Sequence, residues 1–324
     1  MCKKLLIILV PALVAILMFA GCDTASRGTN SAESAANIVT TVFPLYDWTR
    51  VVLGSNPGGI EVTYLLESGV DLHNYSPSIR DVAAISTSDL FLWVGGKSDA
   101  WVLNAMANPQ NQYRRNVPIM RMLSLDETQV FPIDGIIPGE TTDDCCGGAT
   151  HDEHVWLSLP FAMRFVERIR DEIILLDPGN EYYYNTNTAE YIAKLEELNL
   201  QFAYMVGLAP RDTILVVDRF PFLYMMLDYD LEFFSAFDGC FAATEISMQR
   251  QAELANAVNS LGLEVIMIID NHPVANAVSR AAGRDLNIIE LQDFQSVSRY
   301  HIQQGLTYLS GMQQNLEALS IALN

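Results

Sequence analysis

The sequence predicts an α/β protein of two lobes, each a parallel sheet flanked by helices, joined by a long linker helix. Short β-branched runs alternate with helix-period segments in the first half of the chain, and the same alternation returns in the second. Between the halves, residues 181–208 form one continuous helical run, about 40 Å long at 1.5 Å per residue.

In chain order, NIVTTVFP at 37–44 reads as a first strand, followed by an amphipathic stretch over 46–53. A second strand covers 60–66 and ends just before Gly69. Helical spacing follows over 78–86, with Pro77 placed to start it. The buried strand LFLWV at 90–94 is closed by Gly95-Gly96. Residues 126–153 break the pattern with prolines, glycines and acids, and predict a long surface loop. Helical spacing resumes over 159–176 and stops at Asp177-Pro178-Gly179. The linker run places Ala189, Ile192, Leu195, Leu198 and Phe202 on one face.

The second lobe offers strands at 213–217, 231–236, 265–269 and 287–291, with helices at 222–227, 252–261 and 275–282. One long terminal helix is expected over 302–322. The resulting organisation is residues 1–21 as a signal, 22–36 as a flexible tether, 37–179 as the first lobe, 180–208 as the linker and 209–324 as the second lobe.

The signal rests on Lys3 and Lys4 before an apolar run to Ala20, with small residues ahead of Cys22. Phe19-Ala20-Gly21-Cys22 resembles a bacterial lipobox, which would make Cys22 the lipidated N-terminus; an uncleaved membrane anchor is the alternative. Either way the remainder is expected to be extracytoplasmic and held at the cell membrane. Residues 23–36 are small and polar and cannot bury a core.

Thirty-nine acidic residues against 19 basic give a formal net charge of −20, which repels nucleic acid and draws cations. Cys145, Cys146 and Cys240 do not make a disulfide framework. Cys145-Cys146 could be a vicinal disulfide, a pair of metal thiolates or two loop thiols.

The chain holds five histidines, and two lie in segments suited to a metal. His73 sits in GVDLHNYSPSIRD, where a glycine turn and an aspartate lead into the imidazole. His154 closes THDEHVWLSLP, where the acidic loop rejoins the core. Imidazole is the commonest protein ligand for borderline divalent cations, so a site assembled from distant loops is expected.

These segments resemble the solute-binding lipoproteins of zinc and manganese ABC importers, the cluster with a rigid helical linker. IVTTVFPLYDW is similar to that family's first strand and helix, and ESGVDLHNYSPSIRD to its first ligand motif. HVWLSLP is similar to the second motif, DRFPFLYMMLDYDL lies where the third falls, and GLTYLSGMQQNLEAL is similar to the last helix. The resemblance covers about residues 37–320.

It implies a receptor that binds Zn²⁺, or alternatively Mn²⁺, between the lobes and passes it to a membrane permease, as a monomer and not as an enzyme. His73 and His154 match its first two ligands. The third position, ordinarily His or Glu, holds Arg219, which has no lone pair to offer. Asp218 then becomes the candidate third ligand, oriented by Arg219, or one half of a structural ion pair with it. Asp293 matches the fourth, a carboxylate just after the last strand.

The histidine run that many relatives carry before the second ligand is here TTDDCCGGATHDEH, leaving His151. Glu245 is expected to hold a loop, His272 to cap a helix and His301 to lie on the surface. Two alternatives stay open: an adhesin-like lipoprotein with a degenerate metal site, and a zinc hydrolase. The hydrolase is disfavoured because no HExxH motif is present.

Overall fold

A computed structural model describes residues 36–123, 152–237 and 246–324. The readings made for Cys22, Cys145, Cys146, His151, Cys240, Glu245 and most of the 126–153 loop lie outside them.

The first lobe is built from β1 (Asn37–Thr40), α1 (Phe43–Leu53), β2 (Glu61–Tyr64), α2 (Ile79–Thr87), β3 (Leu90–Trp93), α3 (Trp101–Ala105) and β4 (Arg115–Pro118). Two long helices follow, α4 (Leu159–Leu176) and α5 (Glu181–Leu208). The second lobe comprises β5 (Thr213–Val216), α6 (Leu223–Asp228), β6 (Glu232–Ser235), α7 (Met248–Leu261), β7 (Val265–Ile268), α8 (His272–Ala282) and β8 (Asn287–Glu290). The chain ends with α9 (Arg299–Gln303) and α10 (Tyr308–Leu323).

All strand pairs are parallel, in the orders β2-β1-β3-β4 and β6-β5-β7-β8. The second order repeats the first, so both lobes reverse strand order beside their first strand. Open parallel sheets bind ligands outside their carboxyl ends at such switch points.

Local chemistry explains the element ends. Ser78 and Asp81 form a capping box on α2, and the Ser158 hydroxyl accepts the Phe161 N–H at the start of α4. Strands β3 and β7 are buried on both faces, as LFLW and VIMI require.

Helix α5 buries Tyr184, Thr188, Tyr191, Leu195, Leu198 and Phe202. The expected face was turned slightly, since Ala189 is exposed and the bulkier tyrosines pack inward. The single terminal helix is also corrected: it is two, α9 and α10, separated by a turn at Gly305 with φ +93°. Thr307 and Ser310 restart the helix with reciprocal hydrogen bonds. Strand β4 was not foreseen; RNVP is a short edge strand without alternation, and its Pro118 sits where the ladder ends.

One hydrophobic core runs through both lobes. Phe43 of α1 stacks on Phe294 at 6.0 Å, and Trp48 meets Tyr308 of α10 edge-on at 4.9 Å. The Trp156 indole donates to the Asp293 carbonyl at 2.9 Å, and the Tyr308 hydroxyl to the Trp156 carbonyl at 2.6 Å. The loop after β2 is pinned across the lobes as well. Tyr64 donates to the Val297 carbonyl, and Ser68 pairs with Ser298. Gly69, at φ +77°, lets these backbones approach, since a Cβ there would lie 3.2 Å from the Ser296 carbonyl oxygen. Among the described residues no helix is long and apolar enough to cross a membrane.

Candidate metal centre

Each predicted metal ligand either follows a strand's carboxyl end or lies in the loop before α4. His73 lies in a 3-10 turn, Leu72–Asn74, after β2, and its backbone N–H donates to Asp71 Oδ1 at 2.8 Å. His154 immediately precedes the 3-10 turn Val155–Leu157, which runs into Ser158, the cap of α4. The apolar VWL run is fully buried and locks this segment into the core.

The two imidazoles meet, with Nε2 to Nε2 at 3.4 Å and ring centres 5.5 Å apart. Two nitrogens bound to one tetrahedral Zn²⁺ at about 2.0–2.1 Å would lie about 3.3–3.4 Å apart. The observed separation therefore matches one edge of a zinc tetrahedron. His154 Nδ1 lies 2.9 Å from Asp152 Oδ1, so a proton on that nitrogen would leave Nε2 as the donor to a metal. Burial pushes the His73 pKa down, and the neighbouring His154 adds to the effect. Burial pulls His154 the same way, but the Asp152 carboxylate, helped by Glu153 and Asp293, outweighs it and lifts the value above the ordinary range.

The carboxylates expected to complete the set are engaged elsewhere. Asp218 is almost wholly buried and accepts four backbone N–H groups: Arg219 on Oδ1, and Ile269, Asp270 and Asn271 on Oδ2, at 2.8–3.0 Å. It ties the end of β5 to the end of β7. The Arg219 guanidinium does not orient Asp218, as the sequence reading had it, nor form an ion pair with it. Instead it donates twice to Asp293 Oδ2, at 2.8 and 3.2 Å, because that buried carboxylate needs a counter-charge. Asp71 at 3.8 Å and Asp270 at 3.7 Å complete its surroundings. Burial raises the Asp293 pKa, and Arg219 pulls it back. Among the described residues, no group of three or more His, Cys, Asp or Glu side chains stands ready to hold one ion.

The sequence reading missed Ser98, Asp152 and Glu153, which touch the imidazoles. The acids of THDEH were the available signal. His272 starts α8, exposed, 3.2 Å from Glu290, and His301 joins Ser298 in the cap of α9.

A family model described as the zinc-uptake complex component A, periplasmic, ZnuA, matches residues 38–322. The chain belongs to the ZnuA family. The zinc-binding lipoprotein AdcA of Streptococcus pneumoniae is 30% identical over 302 residues, covering 89% of this chain but 56% of AdcA. The chain thus spans about half the length of that relative. The high-affinity zinc uptake system protein ZnuA of Bacillus subtilis is 26% identical over 313 residues, 95% of this chain and 94% of its own. Among solved structures, the Zn(II)-bound ZnuA-like domain of S. pneumoniae AdcA superposes with a TM-score of 0.71 at 27% identity, over 89% of this chain and 98% of that domain. ZnuA-family membership and the two-lobe α/β fold agree with the sequence reading.

Proposed function

We propose that this protein is an extracytoplasmic receptor that captures Zn²⁺ between its lobes and delivers it to the permease of an ABC importer. The observation that carries the reading is the 3.4 Å approach of His73 Nε2 and His154 Nε2, each from a different loop. Zinc suits two imidazoles better than manganese does and outranks it in raw affinity. The zinc-binding name of the S. pneumoniae relative and the zinc-uptake name of the B. subtilis relative support the same ion.

His73 and His154 are the first ligands. Asp293 supplies the third when one carboxylate oxygen turns from Arg219 towards the ion, and water completes the shell. Asp218, satisfied by four backbone amides, holds the loop in place and does not coordinate. Arg219 then competes with zinc for Asp293, which keeps the captured ion exchangeable. A permease that draws Asp293 back to Arg219 would release it. The chain is a binding protein with no reaction of its own, tethered by lipid on Cys22; the lipobox-like segment and the lipoprotein relative support that anchor.

The test is metal content and competitive titration of the metal-stripped chain with Zn²⁺ and Mn²⁺. One tightly held equivalent of zinc, with manganese weaker, is expected. Equal or stronger manganese binding would move the assignment to a manganese receptor. No saturable binding of either would leave a degenerate site.

A further inference from the structure

We infer that Glu153 and Ser98 form a relay that sets the tautomer and aim of His73, so that the acidic pair before His154 orients both imidazoles. The role in metal capture rests on the zinc reading above; the relay itself rests on hydrogen-bond chemistry in the protein alone.

Ser98 lies in the 3-10 turn Lys97–Asp99 that follows β3, and its Oγ stands 2.5 Å from His73 Nδ1. The same Oγ donates to Glu153 Oε1, and the Ser98 backbone N–H donates to Oε2 at 3.1 Å. A serine hydroxyl has one proton, and an ionised carboxylate can only accept. The Ser98 proton is therefore committed to Glu153. What remains for His73 is a lone pair, so Nδ1 carries the ring proton and donates it to Ser98. Nε2 is left as the lone-pair nitrogen, and it is the atom that faces His154 Nε2.

Nothing in this arrangement is accidental packing alone. Glu153 is only 6% exposed, and burying a carboxylate is costly unless hydrogen bonds receive it. Gly96 makes the approach possible, because a Cβ there would lie 2.0 Å from Glu153 Oε2. The preceding residue acts in parallel: Asp152 accepts from His154 directly, on both its backbone N–H and its Nδ1. Three consecutive residues thus supply one ligand and the partners that orient two. Carboxylates behind metal-binding imidazoles fix the tautomer and raise ligand basicity.

The test uses Ser98→Ala, Ser98→Thr and Glu153→Gln, each compared with wild type and His73→Ala. Imidazole ¹⁵N spectra of the metal-free chain are expected to show His73 protonated on Nδ1 in wild type and Ser98→Thr, and as a tautomer mixture in Ser98→Ala. Competitive titration with Zn²⁺ should show Ser98→Ala weakened about 10–100-fold, with Ser98→Thr restoring most of the loss. Thermal melts of the metal-free chains check that each variant is folded. If Ser98→Ala does not fold, Glu153→Gln carries both readouts. An unchanged His73 tautomer, or wild-type zinc affinity in a variant lacking the relay while His73→Ala loses binding, overturns the relay and leaves zinc capture standing. A wild-type chain that holds no zinc overturns the function instead, and the ¹⁵N spectra still decide the relay.

Discussion

His73 and His154 are the two side chains on which the proposed zinc capture depends. Both sit on loops whose backbone N–H groups are held by nearby carboxylates, His73 by Asp71 and His154 by Asp152, while the apolar VWL run after His154 is fixed in the core. Replacing either with alanine should weaken zinc by at least about 100-fold in a competition titration, while the metal-free melting temperature moves by only a few degrees. Arg219→His offers the opposite change, supplying an imidazole and freeing Asp293. It should tighten zinc by about 10-fold or more, yet lower the metal-free melting temperature, because Asp293 loses its buried counter-charge. Weaker zinc binding in Arg219→His would show that the guanidinium helps the site. That the two histidines meet agrees with the sequence reading, which took each from a long motif. Asp218 was a reasonable candidate from its position alone. Its commitment to three amides some fifty residues further on depends on β5 and β7 being neighbours, which spacing along the chain does not reveal.

Elements were legible in proportion to how much their burial shaped their sequence. Helices α4 and α5 begin and end where the periodicity and the Asp177-Pro178-Gly179 stop placed them. Edge strand β4 and the break at Gly305 were not foreseen, since one lacks alternation and the other is a four-residue interruption, 304–307, marked by a single glycine. The turn after β3 adds a pH dependence. Asp99 accepts the Val94 and Gly95 N–H groups, yet burial pushes its pKa from an ordinary 3.8 up to about 7. The folded state therefore binds this proton more tightly than the unfolded chain. Its stabilising effect is complete below about pH 4 and is lost as pH rises through about 7. Metal-free wild type should melt a few degrees lower at pH 8 than at pH 6, and Asp99→Asn should flatten that slope. An unchanged slope would mean that Asp99 is ionised in the fold throughout.

Across the whole molecule, the lobes share one core, and the loop after β2 is stitched to the loop before α9. Wide hinge closure would expose Phe43, Trp156 and Tyr308, each fully buried. Zinc should accordingly leave small-angle scattering nearly unchanged while raising the melting temperature by mass action, about 2.7 kcal/mol of stabilisation at 100 times the Kd. A large compaction on zinc binding would contradict a shared rigid core. Whether His73 and His154 together hold the ion can be read from X-ray absorption at the zinc edge of the singly loaded full chain. Two imidazole nitrogens at about 2.0–2.1 Å with oxygen completing the shell are expected, and His73→Ala should lose one of them. A sulfur shell near about 2.3 Å, or a spectrum without imidazole, would contradict the claim.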